Sequence, residues 1–334
     1  MRWSRPLVAV ALATALALIV TACSSGSSDS GSGGNLSGPI VVSGSSTVEP
    51  ITSLVAEKFQ VQNPDVTPSV DGPGSSDGFA LFCNGETDIA DASRQISEEE
   101  IAACKKNGID YVELEVGLDG LSVIGNPSNP IDCLTLGDLY SLFGPESDKF
   151  SSWSDANALA AQVGGNGGFP SEDLVIVAPG EESGTYGSFI DLVVKDIAEE
   201  RNQPSDRLRA GYQSSADDNV IVDSASGTVG GLGFVGLAYA LNAGGAVKEF
   251  KVDGGNGCTS PSVETVIDGS YPLARSLFVY VSQTAATEKP QVKAFVDYYL
   301  SDEGLASVEE VQYVPLPADR VEATRAAWKD GSAT

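Results

Sequence analysis

The sequence predicts an α/β fold in which helices pack on a mostly parallel sheet. Short apolar runs rich in Val, Ile and Leu alternate with segments of helical spacing along most of the chain. Turns rich in glycine and serine separate the runs from the helices. Strand and helix alternate instead of forming separate blocks, which is the pattern of βαβ units around a parallel sheet. The 312 residues from Cys23 onward suffice for two ordinary domains.

Residues 1–22 lie outside that fold. Arg2 and Arg5 give a basic start, residues 7–20 are almost wholly apolar, and V-T-A-C ends at Cys23. This is the layout of a secretory signal peptide, and its apolar run is short for a membrane span. Its end resembles the lipobox of bacterial lipoproteins, whose cysteine becomes the lipidated (palmitate-bearing) first residue. Residues 23–38 are then the lipidated Cys23 and a flexible Ser/Gly tether that cannot bury a core.

P-I-V-V-S (39–43) reads as a first strand, followed by G-S-S-T-V-E-P. Residues 51–60 have helical spacing, with Leu54, Val55 and Phe59 toward one side. Residues 66–70 form a second strand, G-P-G-S-S-D-G a loop, and F-A-L-F-C-N-G the start of a helix. T-D-I-A-D-A-S-R is a short strand running into a loop. S-E-E-E-I-A-A-C-K-K-N-G is a helix with acids in its first turn, where the dipole favours them. Y-V-E-L-E-V-G and G-L-S-V-I-G are two strands. L-T-L-G-D-L-Y-S-L-F-G is a helix, L-V-I-V-A a strand, and F-I-D-L-V-V-K-D-I-A a helix behind the turn E-E-S-G-T. G-G-L-G-F-V-G-L-A-Y-A is glycine-rich and apolar, and residues 289–308 read as a long amphipathic helix.

Composition excludes several functions. The net charge is −27, from 46 acidic and 19 basic residues. Such acidity argues against nucleic acid, whose affinity comes from neutralised phosphates, and against adhesion to anionic lipid. A small anion stays compatible, because a local site can oppose the global field. There is no histidine, so Ser-His-Asp and Cys-His catalysis are absent, and an enzyme is not expected. Besides Cys23 the chain has Cys83, Cys104, Cys133 and Cys258. In an exported chain these are a disulfide set with three pairings. Without C-x-x-C or histidine, neither a zinc site nor another cofactor is expected.

Three loops share one chemistry: G-S-S-T (44–47), G-S-S-D-G (74–78) and E-S-G-T (182–185). Each supplies small hydroxyls and glycine between a strand and a helix. Each alone is also an ordinary helix cap. Together they can converge on one ligand rich in acceptors, at the carboxyl ends of strands. Arg94 follows a strand end on the same expected edge, and its planar fork suits a tetrahedral oxyanion. Its replacement by Ala is expected to weaken binding at least tenfold, about 1.4 kcal/mol. Asp77 beside an anion makes sense if the ligand carries a proton, which an ionised carboxylate can accept. Asp91 is a weaker candidate for that role.

These pieces resemble the extracellular phosphate-binding proteins of ABC-type phosphate importers. The resemblance runs from about Ile40 to the C-terminal helix. Its strongest segments are G-S-S-T-V-E-P-I, G-S-S-D-G-F-A-L-F-C-N-G-E-T-D-I-A-D-A-S-R, E-V-G-L-D-G-L-S-V and E-S-G-T-Y-G-S-F. It implies a two-domain periplasmic-binding-protein clamp of type II, each domain a mixed, mostly parallel sheet flanked by helices. It implies inorganic phosphate in the interdomain cleft, delivered to a membrane permease, with no catalysis. By the resemblance Thr47 and the Val48 backbone, with Ser46 adjacent, Ser75, and Ser183, Gly184 and Thr185 surround the anion. Asn219, in S-S-A-D-D-N-V, belongs to another loop that reaches the cleft. In the enteric pattern an Asp follows the serine of the D-x-x-A-S-type segment, and an Arg precedes S-G-T; here these positions are Arg94 and Pro179. Spacing and resemblance together pair Cys83 with Cys104 and Cys133 with Cys258. Domain I is expected at 39–117 plus 262–334 and domain II at 118–261, with hinge strands near 115–120 and 258–272. Sulfate or molybdate binding, and phosphoester hydrolysis, are the competing readings.

Overall fold

The computed structural model describes residues 36–181 and 183–331. The signal peptide, Cys23 and most of the tether lie outside the described residues. In chain order the elements are β1 (Gly38–Gly44), α1 (Glu49–Gln62), β2 (Val66–Asp71), α2 (Ser75–Cys83), β3 (Ile89–Ala92), α3 (Glu98–Asn107) and β4 (Tyr111–Gly125). Then come β5 (Cys133–Thr135), α4 (Leu136–Phe143), α5 (Asn157–Ala160), β6 (Val175–Ala178), α6 (Gly184–Phe189), a π-turn (Ile190–Val194) and α7 (Lys195–Glu200). The chain continues with β7 (Gln213–Ser214), α8 (Asp218–Gly227), β8 (Gly231–Gly236), α9 (Leu237–Ala243), β9 (Lys248–Glu249), β10 (Lys251–Asp253), β11 (Cys258–Thr259) and α10 (Val263–Ile267). It ends with β12 (Ala274–Ser282), α11 (Gln283–Glu288), α12 (Pro290–Tyr299), α13 (Asp302–Glu310) and α14 (Ala318–Gly331).

The main sheet runs β2-β1-β3-β12-β4-β8-β6-β7, with β9 on β4. It is parallel on both flanks, where β1 pairs with β2 and β3, and β6 with β7 and β8. Through its centre it is antiparallel, because β12 pairs that way with β3 and β4, and β4 with β8. The mixed sheet expected for each half is thus parallel at its flanks and antiparallel at the centre. β4 serves both halves: it pairs with β12 up to Gly120 and with β8 from Leu121. A small sheet β11-β10-β5 stands apart.

Alternation along the strands gives each half of the sheet two buried faces. One half sets Ile40, Val42 and Leu114 against Phe59 and Phe295, and on its other face Ala90 and Tyr280 against Phe79 and Phe82. The other half buries Val123, Phe143, Trp153 and Phe234 together, and Ile124, Val177, Ile221 and Val235 together. Each such large side chain contributes about 1.5–3 kcal/mol on burial. The described residues nevertheless form one compact unit. Both disulfides are present: Cys83–Cys104 ties α2 to α3, and Cys133–Cys258 ties β5 to β11.

Most expected elements appear, with four differences. The stretches read as two strands at 111–125 are one strand, because the glycines between them continue the ladder to β12. The helix expected from Phe79 begins at Ser75, capped by Gly74 at φ 115. The long helix at 289–308 breaks at Ser301, whose hydroxyl accepts from Gly304 N at 3.0 Å and starts α13. β12 and α14 were not anticipated, nor were α8, α10 and the short strands β5, β7, β9 and β10.

Candidate anion-binding site

Two of the hydroxyl loops meet. The first is built by its own backbone: Ser45 N donates to Asp91 O (2.8 Å), Thr47 N to Ser45 Oγ (3.2 Å), and Val48 N to Ser45 O (3.1 Å). A Cβ on Gly44 would fall 2.0 Å from Asp91 O, and one on Gly78 2.4 Å from Gly44 Cα, so glycine alone permits the backbones this near. The third loop starts α6, where Ser183 Oγ accepts from Thr185 N at 3.2 Å. A Cβ on Gly184 would lie 3.0 Å from both Ser46 O and Thr47 Cα. Phe189 stacked on Phe234, with ring centroids 4.0 Å apart, anchors α6 to the sheet.

Arg275 occupies this junction. It lies on β12 directly opposite Asp119 of β4, so both side chains leave the same face of the ladder. Its Nη2 donates to Ser188 Oγ at 2.7 Å and to Thr47 Oγ1 at 2.9 Å, and its Nη1 to Asp191 Oδ2 at 3.0 Å. Ser188 Oγ in turn donates to Asp119 Oδ2 at 2.5 Å, and Thr47 Oγ1 to Gly184 O at 3.3 Å. The Arg275 side chain is only 11% exposed. Its Nε lies 3.6 Å from Asp119 Oδ2, and Nε and Asp119 Oδ1 are both buried without partners. Burial raises the Asp119 carboxyl above its usual range, while Arg275 and Ser188 pull the other way. The π-turn brings Asp191 to Arg275 just after Ser188; such turns recur at functional sites.

The second loop lines a neighbouring cavity of about 1090 Å³, with Ser75, Asp77 and Arg94 on one wall and Asp191, Lys195 and Arg275 in the rest. Ser75 Oγ accepts from Ser93 N at 3.2 Å. Arg94 holds Glu100 by two bonds of 2.8 Å, and donates to Ser76 Oγ at 3.0 Å. Burial alone would raise the Glu100 carboxyl, but Arg94 and Ser97 bring it below the usual range. Asp77 is exposed in this cavity. Asp91 is fully buried, away from the cavity, beside Thr52, Glu49 and Asp71. Asn219 is exposed, and its N and Nδ2 donate to Asp217 Oδ1 at 2.9 and 3.1 Å, the arrangement of an ordinary helix start. The structure thus brings Ser46, Thr47, Val48 and the 183–185 turn to one junction, and Ser75, Asp77 and Arg94 to the adjoining wall.

Sequence reasoning missed Arg275, Asp119, Ser188 and Asp191. A charged residue inside an apolar strand was the available signal, in L-A-R-S-L-F and G-L-D-G-L.

Fold and junction define a binding protein built from two sheet halves with converging hydroxyl loops. The chain belongs to the PBP superfamily, whose domain model matches residues 25–303. It is 40% identical over 282 residues to Protein SphX of Synechococcus elongatus, covering 84% of this chain and 78% of that one. It is 33% identical over 296 residues to the phosphate-binding protein PstS of Staphylococcus saprophyticus, covering 86% and 85%. Among solved structures it is similar to "a possible phosphate binding protein" from Planctomyces limnophilus, with 34% identity, a TM-score of 0.78, and coverage of 89% and 99%. No helix among the described residues is long and apolar enough to cross a membrane.

Proposed function

We propose that this protein binds inorganic phosphate on the extracytoplasmic face of the cell membrane, held there by lipid on Cys23, and passes it to an ABC permease without chemistry of its own. The observation that carries this is the buried Arg275, hydrogen-bonded to Thr47 and Ser188 where the G-S-S-T and S-G-T loops meet. It supplies the fixed cation that the sequence lacks at Pro179. Donor hydroxyls around a guanidinium suit a small tetrahedral oxyanion, and the relatives named for phosphate support that choice. The clamp halves are 39–117 with 262–334, and 118–261. The cleft closes by a twist of β4 near 115–120 and of the chain entering β12; the second hinge strand expected near 258–272 is instead the short β11 and the helix α10.

Asp119 is the acceptor for the phosphate proton. It is fully buried with one oxygen free beside the cation, whereas Asp77 faces solvent. A deprotonated oxyanion would leave that oxygen unsatisfied and repelled. Titration calorimetry at neutral pH should show phosphate binding that excess sulfate does not displace. Asp119→Asn should narrow the preference for phosphate over sulfate at least tenfold, about 1.4 kcal/mol, and Asp77→Asn should keep it. Tight sulfate binding by the unaltered protein would sink the phosphate reading. Arg94→Ala should weaken binding less than loss of Arg275, because Glu100 already offsets the Arg94 charge.

A further inference from the structure

The segment after α13 is pinned where the two loops meet. Gln312 N donates to Glu309 O at 2.9 Å and Tyr313 N to Val308 O at 3.0 Å. Val314 and Leu118 exchange both backbone hydrogen bonds at 2.9 Å, beside Asp119. Gln312 takes φ 68, a left-handed conformation that costs a non-glycine residue about 1 kcal/mol. The result is a phenol in a fixed place. The Tyr313 hydroxyl lies 3.1 Å from where a Cβ on Gly184 would be, the same point that Thr47 Cα and Ser46 O approach to 3.0 Å. Asp119, Arg275 and Asp218 are the charged groups that face it. Asp218, at the start of α8, has a buried Oδ1 without a partner. The Tyr313 hydroxyl itself makes no hydrogen bond among the described residues.

We propose that Tyr313 is a further anion-binding residue, its hydroxyl donating a hydrogen bond to an oxygen of phosphate held between the Thr47 and Gly184 loops. This rests on the phosphate reading above. Polar groups at such a junction normally find partners, and here the anion is the partner still to come. Burial first, then the two carboxylates, hold the phenol above its ordinary range, so it remains a donor at every physiological pH. A donor fixed before the ligand arrives loses little freedom on binding.

Tyr313→Phe removes the oxygen and keeps the packing. Phosphate calorimetry should show the dissociation constant raised about tenfold, or 1.4 kcal/mol, with an unchanged thermal unfolding midpoint. Tyr298→Phe is the control, since it makes the same change in a ring that packs on Phe59 in the helical layer; it should bind as the unaltered protein does. A tyrosine ultraviolet difference signal should accompany phosphate addition and disappear in Tyr313→Phe. Equal phosphate affinity in Tyr313→Phe and the unaltered protein would overturn the Tyr313 role and leave the phosphate reading intact. Failure of the unaltered protein to bind phosphate would overturn both.

Discussion

Arg275→Ala is expected to raise the dissociation constant for phosphate at least a hundredfold, about 2.7 kcal/mol. The variant removes the cation that joins Thr47, Ser188 and Asp191, and it leaves Asp119 buried opposite an empty place. Stripping one partner from a buried ion pair costs about 3–5 kcal/mol when the remaining charge has no escape. Urea unfolding should therefore show a stability loss of that order, reduced to the extent that Asp119 takes up a proton. The double variant Arg275→Ala with Asp119→Asn separates the two effects. It should recover much of the stability and none of the affinity. Arg275→Lys keeps the charge but not the planar fork, and should fall between the unaltered protein and Arg275→Ala. Unchanged calorimetric affinity in Arg275→Ala would remove this residue from the site.

Asp91→Asn should stabilise the protein near neutral pH. The Asp91 carboxyl is buried with both oxygens unpartnered. Burial pushes its pKa up to about 8 from 3.8; Thr52 opposes this, and Glu49 and Asp71 add to it. Below the unfolded value neither state is ionised, so this residue carries no penalty there. As pH rises toward 8 the unfolded chain gives up the proton and the native protein keeps it, so native stability declines across that window. Above it the penalty is constant. At pH 7 the penalty is at most about 4 kcal/mol, from roughly three pH units at 1.36 kcal/mol each. An amide is nearly the shape of the protonated acid and does not titrate. The variant should match the parent near pH 3 and exceed it at pH 7 in chemical unfolding. Parallel stability curves for the two proteins across that range would contradict this account of Asp91.

The alternation of strands and helices could be read because period and turn chemistry are local. α3 was visible as S-E-E-E-I-A-A-C-K-K-N-G with its acidic first turn; the structure adds a capping box of Ser97 and Glu100 and a left-handed Gly108 at its end. The three hydroxyl loops were found for the same reason. Arg275 was not, because its meaning lies in a register: it matters only because it stands opposite Asp119, far away in sequence on β4. Without β12 there was no partner to seek, and the positive role fell to Arg94, which carries its own counter-ion, Glu100. Asn219 shows the opposite case, a polar residue in a suggestive loop whose bonds are those of a helix start. The antiparallel centre of the sheet was hidden likewise, since strand direction is decided by connections that periodicity does not record.

Arg275 and Asp119 face each other on β12 and β4, the central pair of the sheet, and β4 runs on to pair with β8, so in the proposed closure lever and load share one ribbon. A twist of β4 against β12 would reorient the cation and the carboxylate directly, without a relay through packed helices. On the proposed reading, the free energy an anion gains from that pair also biases the ribbon toward one twist. The apparent affinity equals the intrinsic affinity multiplied by the fraction of molecules already in the competent twist. On the proposed closure, substitutions that stiffen the ribbon, far from any hydroxyl loop, should shift the apparent phosphate affinity as well as changes among the ligand contacts.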